Sequence, residues 1–167
     1  MVIIVFGLPG SGKSYFASRL AEMVHAEYVN SDHLRKELFQ KRSYSDREKA
    51  IVYDAMLKKM KEAITQNKSI VLDATFYKNE TRKSFIQETK EKTDIFFIEV
   101  TTNEELTRQR LKKERPDSEA DLRVYRLIKQ LWDRFNESHL VLESTDDNIN
   151  DMLQKAAQYL NNDKRPN

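Results

Sequence analysis

A lysine and a serine closing a glycine-spaced run, Gly7-Leu8-Pro9-Gly10-Ser11-Gly12-Lys13-Ser14, are the residues best arranged for chemistry in this chain. The run fits G-x-x-x-x-G-K-[ST], a loop that wraps phosphate. Its glycines let the backbone turn and bring N–H groups against an anion. A helix starting at the loop aims the positive end of its dipole at the same point. In such a loop Lys13 reaches the β- and γ-phosphates of a nucleotide and the Ser14 hydroxyl ligates Mg²⁺, with Tyr15 next along the helix start. The chain has only three glycines, all of them here, so composition does not explain the pattern.

Phosphoryl transfer also needs a positioned acceptor and cations on the transferring oxygens. Asp32 follows a short apolar stretch, where a carboxylate can take a proton from an attacking hydroxyl. Arg35 lies three residues on, on the same side of a helix start, placed to hold an anionic acceptor or to orient Asp32. The same spacing also fits Asp32 as a helix N-cap and Arg35 as a surface residue. Asp73, after another apolar stretch, suits work on the waters of Mg²⁺ or simply starts a turn; Thr75 lines the same crevice. Arg108, Arg110, Lys112, Lys113 and Arg115 form a basic cluster before Pro116. It reads either as a lid bringing Arg110 or Arg115 to the phosphate or as a solvated, salt-bridged helix face.

These residues need a scaffold of alternating strands and helices. Val2 to Phe6 is an unbroken apolar run, as in a strand buried on both faces, and Ser14 to His25 reads as a helix with Phe16, Ala17, Leu20 and Met23 inward. Further strands are expected at Ala26–Asn30, Ser69–Asp73, Asp94–Val100 and His139–Leu142. Between them, capping boxes at Ser45/Glu48 and Thr102/Glu105 open helices, the first carrying Val52, Met56, Met60 and Ala63 as a core stripe. A helix over 78–92 follows the third strand. After the break at Arg115-Pro116-Asp117-Ser118, one helical stripe takes Leu122, Tyr125, Ile128, Trp132 and Phe135, and a closing helix buries Ile149, Leu153, Ala156 and Leu160. The alternation implies an α/β fold of three layers, about five parallel strands with helices on both faces and a helical lid. Ligands then bind beyond the carboxyl ends of the strands, where the glycine loop, Asp32 and Asp73 all fall. Residues 1–162 read as one domain, with 163–167 a frayed tail.

Composition narrows the rest. Net charge is +2 with a pI of about 8.6, weaker than the basic excess usual for nucleic-acid binders. Without cysteine there is no disulfide framework or thiolate metal site, and His25, His33 and His139 are too far apart for a metal-spaced pair. The apolar N-terminus is too short for a signal peptide and runs into the loop, so a cytoplasmic protein with no membrane partner is expected.

The chain resembles the small P-loop kinases that include the kinase domain of polynucleotide kinases, and in particular their stand-alone bacterial members. GLPGSGKS (Gly7 to Ser14), NSDHLRKEL (Asn30 to Leu38), SIVLDATF (Ser69 to Phe76), RQRLKKER (Arg108 to Arg115) and SEADLRVYRLIKQLWDRF carry the likeness. The resemblance implies a P-loop kinase fold, with ATP and Mg²⁺ as cofactors. It makes Asp32 the general base, Arg35 an acceptor-binding arginine, Lys13 and Ser14 the phosphate and metal residues, and Arg82 a recurrent arginine without a settled role. The five-residue spacing of Arg110 and Arg115 departs from the family lid. No phosphatase or ligase domain is appended, so the kinase module is the whole expectation. The acceptor it puts first is a polynucleotide 5′-hydroxyl. A sugar, nucleoside or antibiotic is the alternative, and an ATP-binding switch acting through a partner is the second. Asp32 with Arg35 favours a kinase, because a switch needs no base for a hydroxyl.

Overall fold

Val2, Ile3, Ile4, Val5 and Phe6 are all fully buried, and they form β1 (Val2–Phe6), the middle strand of the molecule. The computed structural model of the protein describes residues 1–113 and 121–162. In chain order the remaining elements are α1 (Lys13–Met23), β2 (Glu27–Asn30), α2 (Ser31–Leu38), α3 (Asp46–Thr65), β3 (Ile70–Asp73), α4 (Asn79–Thr89), β4 (Ile95–Thr101), α5 (Glu104–Lys112), α6 (Leu122–Gln130), β5 (Leu140–Glu143) and α7 (Ile149–Asn162). The five strands are parallel in the order β2-β3-β1-β4-β5. Arg115, the Pro116 break and the tail at 163–167 lie outside the described residues.

Side chains alternate across a strand, and β1 uses both faces. Val2, Ile4 and Phe6 join the core that holds Val52, Met56 and Met60 of α3 and Phe85 of α4. Ile3 and Val5 join the opposite core, with Phe16 and Leu20 of α1 and Met152, Ala156 and Leu160 of α7. Each such side chain taken from water contributes about 1.5–3 kcal/mol. Burial on both faces is why the strand sequences are continuous apolar runs. β1 and β3 are neighbours whose onward connections run opposite ways, β1 to β2 on one side and β3 to β4 on the other, so the crevice past their carboxyl ends is a topological switch point.

Three local expectations are corrected. Met23 lies at the end of α1 and is 40% exposed, and Ala21 is buried instead. The cap of α5 is Asn103, whose Oδ1 accepts from Leu106 N at 2.8 Å, while Thr102 donates to the Ser144 carbonyl. Trp132 and Phe135 do not continue a helical stripe: α6 ends at Gln130, and the irregular chain beyond carries both rings against Phe6. Arg82, fully buried, fixes that segment. Its Nη2 donates to the Asp133 carbonyl and to Asn79 Oδ1, and its guanidinium lies 4.8 Å from the centre of the Phe135 ring. α4 has no side-chain cap of its own, and Asp133 Oδ2 accepts from Asn79 N in its place.

Candidate active site

The loop between β1 and α1 is built around two glycines that no other residue replaces easily. A Cβ on Gly7 would collide with the Val100 carbonyl oxygen. Gly12 caps α1 in the left-handed region, φ 88°, and supplies no side-chain acceptor. α2, α3, α5 and α6 each satisfy their first N–H groups with an Asn, Ser or Asp side chain. The first turn of α1 is left with donors to offer an anion. Lys13 is half-buried beside them and makes no ion pair or hydrogen bond among the described residues. That loop, backed by Lys13 and the helix dipole, is a fitting cradle for a phosphate chain.

Past the ends of β2 and β3, Asn30 organises the polar centre. Its Oδ1 accepts from Asp32 N and His33 N at 2.9 and 3.0 Å, capping α2. Its Nδ2 donates to Asp73 Oδ2 at 2.5 Å and reaches Ser14 Oγ at 3.4 Å. The cap of α2 is therefore Asn30, and the Asp32 carboxylate is released for other work. Tyr28 also donates to Asp73 Oδ2, at 2.8 Å. Asp73 is fully buried, yet its Oδ1 has no hydrogen-bond partner among the described residues. A buried carboxylate oxygen without a donor points to a group from outside the chain. With the Ser14 hydroxyl gathered on the same Asn30, Ser14 and Asp73 present the oxygen ligands that suit a hydrated divalent cation.

Asp32 sits across from them with its Oδ1 2.9 Å from Arg35 Nη1. Burial pushes its carboxyl pKa above the usual aspartate value, against the downward pull of Lys13 and Arg35, and the Asp73 charge adds to the rise. Arg35 in turn reaches back to α3, its Nε 2.9 Å from Glu48 Oε1. Glu48 thus completes only half of the capping box at the start of α3. Ser45 Oγ accepts from Glu48 N, but the Glu48 carboxylate turns to Ser43 and Arg35. Lys13, Ser14, Asp32, Arg35 and Asp73 all line one cavity of about 180 Å³. Thr75 and Pro9 line it too.

Other candidates lie elsewhere. Arg110 is behind the loop: Nη1 donates to the Ser11 carbonyl and Ser144 Oγ, and Nη2 to the Thr145 carbonyl and Asp146 Oδ1. It does not line the cavity. Arg108 pairs with Glu104 on the α5 surface. Tyr15 points outward at 58% exposure, with Arg19 over its ring. Leu8 and Ser11 face a separate cavity behind the loop, and Gly10 packs against Leu111 and Thr107 of α5. Asn30, Glu48 and Tyr53 carry parts of the site that motif reading missed. Asn30 had a legible signal, an Asn between an apolar run and a helix start. Tyr53 OH accepts from Phe76 N at 3.0 Å and meets Thr75 Oγ1, holding Phe76 at a left-handed φ of 44°.

Solved structures of similar fold include proteins named as kinases of small molecules. A sugar kinase from Janibacter sp. HTCC2649 superposes with a TM-score of 0.75 at 15% identity, covering 96% of this chain and 94% of its own. The Mycobacterium tuberculosis APS kinase, in complex with AMPPNP and APS, gives 0.68 at 19% identity, covering 96% of each chain. The Acinetobacter baumannii shikimate kinase, in complex with shikimate, gives 0.64 at 17%, covering 99% of this chain and 95% of its own. At these identities the likeness is one of fold. No curated protein sequence matches the chain. A family model does, over residues 2–138, and the chain belongs to that family, the AAA domain family.

Proposed function

We propose that the protein is an ATP-dependent kinase that transfers the γ-phosphate to a hydroxyl of a small molecule. One observation carries the reading: a half-buried carboxylate, Asp32, whose pKa is pushed up, shares a cavity with Lys13 and Ser14 of the phosphate loop. The loop and Lys13 bind the β- and γ-phosphates, and Ser14 with Asp73 would hold Mg²⁺, which neutralises charge on the phosphate oxygens. Asp32 accepts the proton of the acceptor hydroxyl as its oxygen bonds to the γ-phosphorus. The bond from that phosphorus to the bridging oxygen breaks, and ADP leaves. Arg35 keeps Asp32 oriented.

The polynucleotide 5′-hydroxyl, placed first by resemblance, gives way to the small-molecule alternative. The cavity is small, α6 walls it with Val124, Leu127 and Ile128, and the similar kinases named above act on small molecules. Among the described residues no helix is long and apolar enough to cross a membrane. The test is ADP release with Mg-ATP against 5′-hydroxyl oligonucleotides, sugars, nucleosides and hydroxy acids. Turnover with a small alcohol is expected. Turnover with oligonucleotides alone, or ATP hydrolysis that only a protein partner stimulates, sinks the reading.

A pH profile follows from Asp32. The base works only when ionised, so kcat/KM should fall on the acid side as Asp32 takes up a proton. Because burial raises its pKa above 3.8, the limb should fall at higher pH than an ordinary aspartate gives. A rate that stays flat down to pH 4 would remove Asp32 from the proton transfer.

A further inference from the structure

The guanidinium at the acceptor end of the cavity is already ion-paired to two carboxylates, one of which, Asp32, faces the cavity. Arg35 has a 9% exposed side chain held between Asp32 and Glu48, each at 2.9 Å, with the Tyr44 ring 4.7 Å away over its other face. Two carboxylates against one guanidinium leave this cluster at a net charge of −1. Glu48 is itself fixed: Ser43 donates to its Oε2 from the backbone N at 2.6 Å and from Oγ at 2.9 Å. Burial pushes the Glu48 carboxyl up, but these hydrogen bonds and Arg35 hold it below its usual value, so it stays charged. Lys49, the remaining cation lining this end among the described residues, pairs with Asp46 at 3.2 Å. An anionic acceptor entering here would meet the Asp32 carboxylate beside an arginine whose charge is already offset by Asp32 and Glu48, a costly juxtaposition with little return.

Much of the remaining lining is apolar. Val52 and Ile128 are buried, while Val124 and Leu127 line the same cavity and remain 39% and 50% exposed. Tyr44, Tyr53 and Tyr77 complete the lining with rings. A pocket of this kind, mostly apolar with few polar groups that fix one hydroxyl, selects its ligand by shape and apolar contact.

We propose that the acceptor is an uncharged alcohol bearing an apolar or aromatic face. In this proposal Glu48 is the positioning residue that sets the preference, by tying Arg35 away from the acceptor; the proposal rests on the kinase reading above. Calorimetry on the full chain loaded with Mg-AMPPNP reads binding without turnover. Thymidine and phenyl glucoside serve as uncharged probes, and gluconate and shikimate as anionic ones. At least one uncharged probe should bind about tenfold or more tighter than either anion, the range an apolar pocket gives. Glu48→Gln can keep an acceptor for Ser43 but removes one carboxylate from Arg35. It should narrow that preference about tenfold and give anion binding a dependence on salt. Leu127→Asp, at a half-exposed position where folding is insensitive, should weaken the uncharged probe about tenfold without helping the anions. Tighter anion binding by the wild type, no binding of either uncharged probe, or an unchanged preference in both variants overturns the proposal. Failure of the kinase reading looks different: an uncharged probe binds with this preference, yet with Mg-ATP it gains no phosphate and ADP does not rise above background.

Discussion

Lys13→Ala is expected to lower kcat/KM for ATP about 100- to 1,000-fold, the loss found when one preorganised donor to developing charge is removed. The protein should still fold. Lys13 is half-buried, makes no ion pair or hydrogen bond among the described residues, and stands on a loop held by other contacts. Those include the Ser11 N–H to the Leu8 carbonyl and Arg110 bracing the Ser11 carbonyl from behind. Thermal unfolding should shift little, within about 0.5 kcal/mol, as for a surface change away from special features. A second effect separates this lysine from a passive one. Lys13 is the largest of the charges that pull the Asp32 pKa down, so its removal should drive that pKa further up. The acid limb of residual turnover should then move to higher pH in Lys13→Ala and return in Lys13→Arg. Mg-ATP affinity and turnover at wild-type levels in the alanine variant would show that the loop does not hold a nucleotide.

The sheet and the loop were legible because each rests on local pattern. A strand buried on both faces must be apolar throughout, and Val2 to Phe6 and Ile70 to Leu72 show it. Val52, Met56, Met60 and Ala63 recur at helical spacing and are buried as expected. The motif named Lys13 and Ser14, and strand ends named Asp32 and Asp73, since ligands gather there. What stayed hidden depends on partners far apart in sequence. Glu48 carries the signature of a capping box, but Arg35 from α2 and Ser43 from the preceding loop compete for its carboxylate and win. Trp132 and Phe135 sit at helical spacing, yet the helix has ended at Gln130. The bonds from Arg82 and Asn79 to the 133–134 backbone and to the Asp133 side chain, across more than fifty residues, hold that chain in another shape. Arg110 lies in a basic cluster that reads equally as lid or surface; its actual acceptors, Ser144, Thr145 and Asp146, lie beyond β5 and carry no motif.

Asp32→Asn is expected to cut phosphoryl transfer about 100- to 10,000-fold, the contribution of a positioned general base, while Mg-ATP binding persists. The substitution isolates basicity from shape. An Asn oxygen can still accept from Arg35 Nη1, and α2 keeps its cap because that cap is Asn30. Stability should move the other way from activity. Burial raises the Asp32 pKa in the folded chain above 3.8, so between these values the folded state binds more protons than the unfolded one. Stability from this group is then greatest below 3.8, falls as pH rises through the window, and stays at its lower level at neutral pH. Asparagine carries no such penalty. It also leaves Arg35 balanced by Glu48 alone, taking the cluster from a net −1 to neutral. At pH 7 the variant should therefore melt at or above the wild-type temperature, the pattern of a residue kept for function at some expense of stability. At pH 3.5 the advantage should shrink towards zero, since the wild-type aspartate is then protonated in the folded state. Melting curves at both values, beside single-turnover transfer to whichever alcohol the screen identifies, decide the matter. A variant that turns over normally, or one that loses activity only because it melts early, would return Asp32 to a structural part in the pairing of α2 with α3.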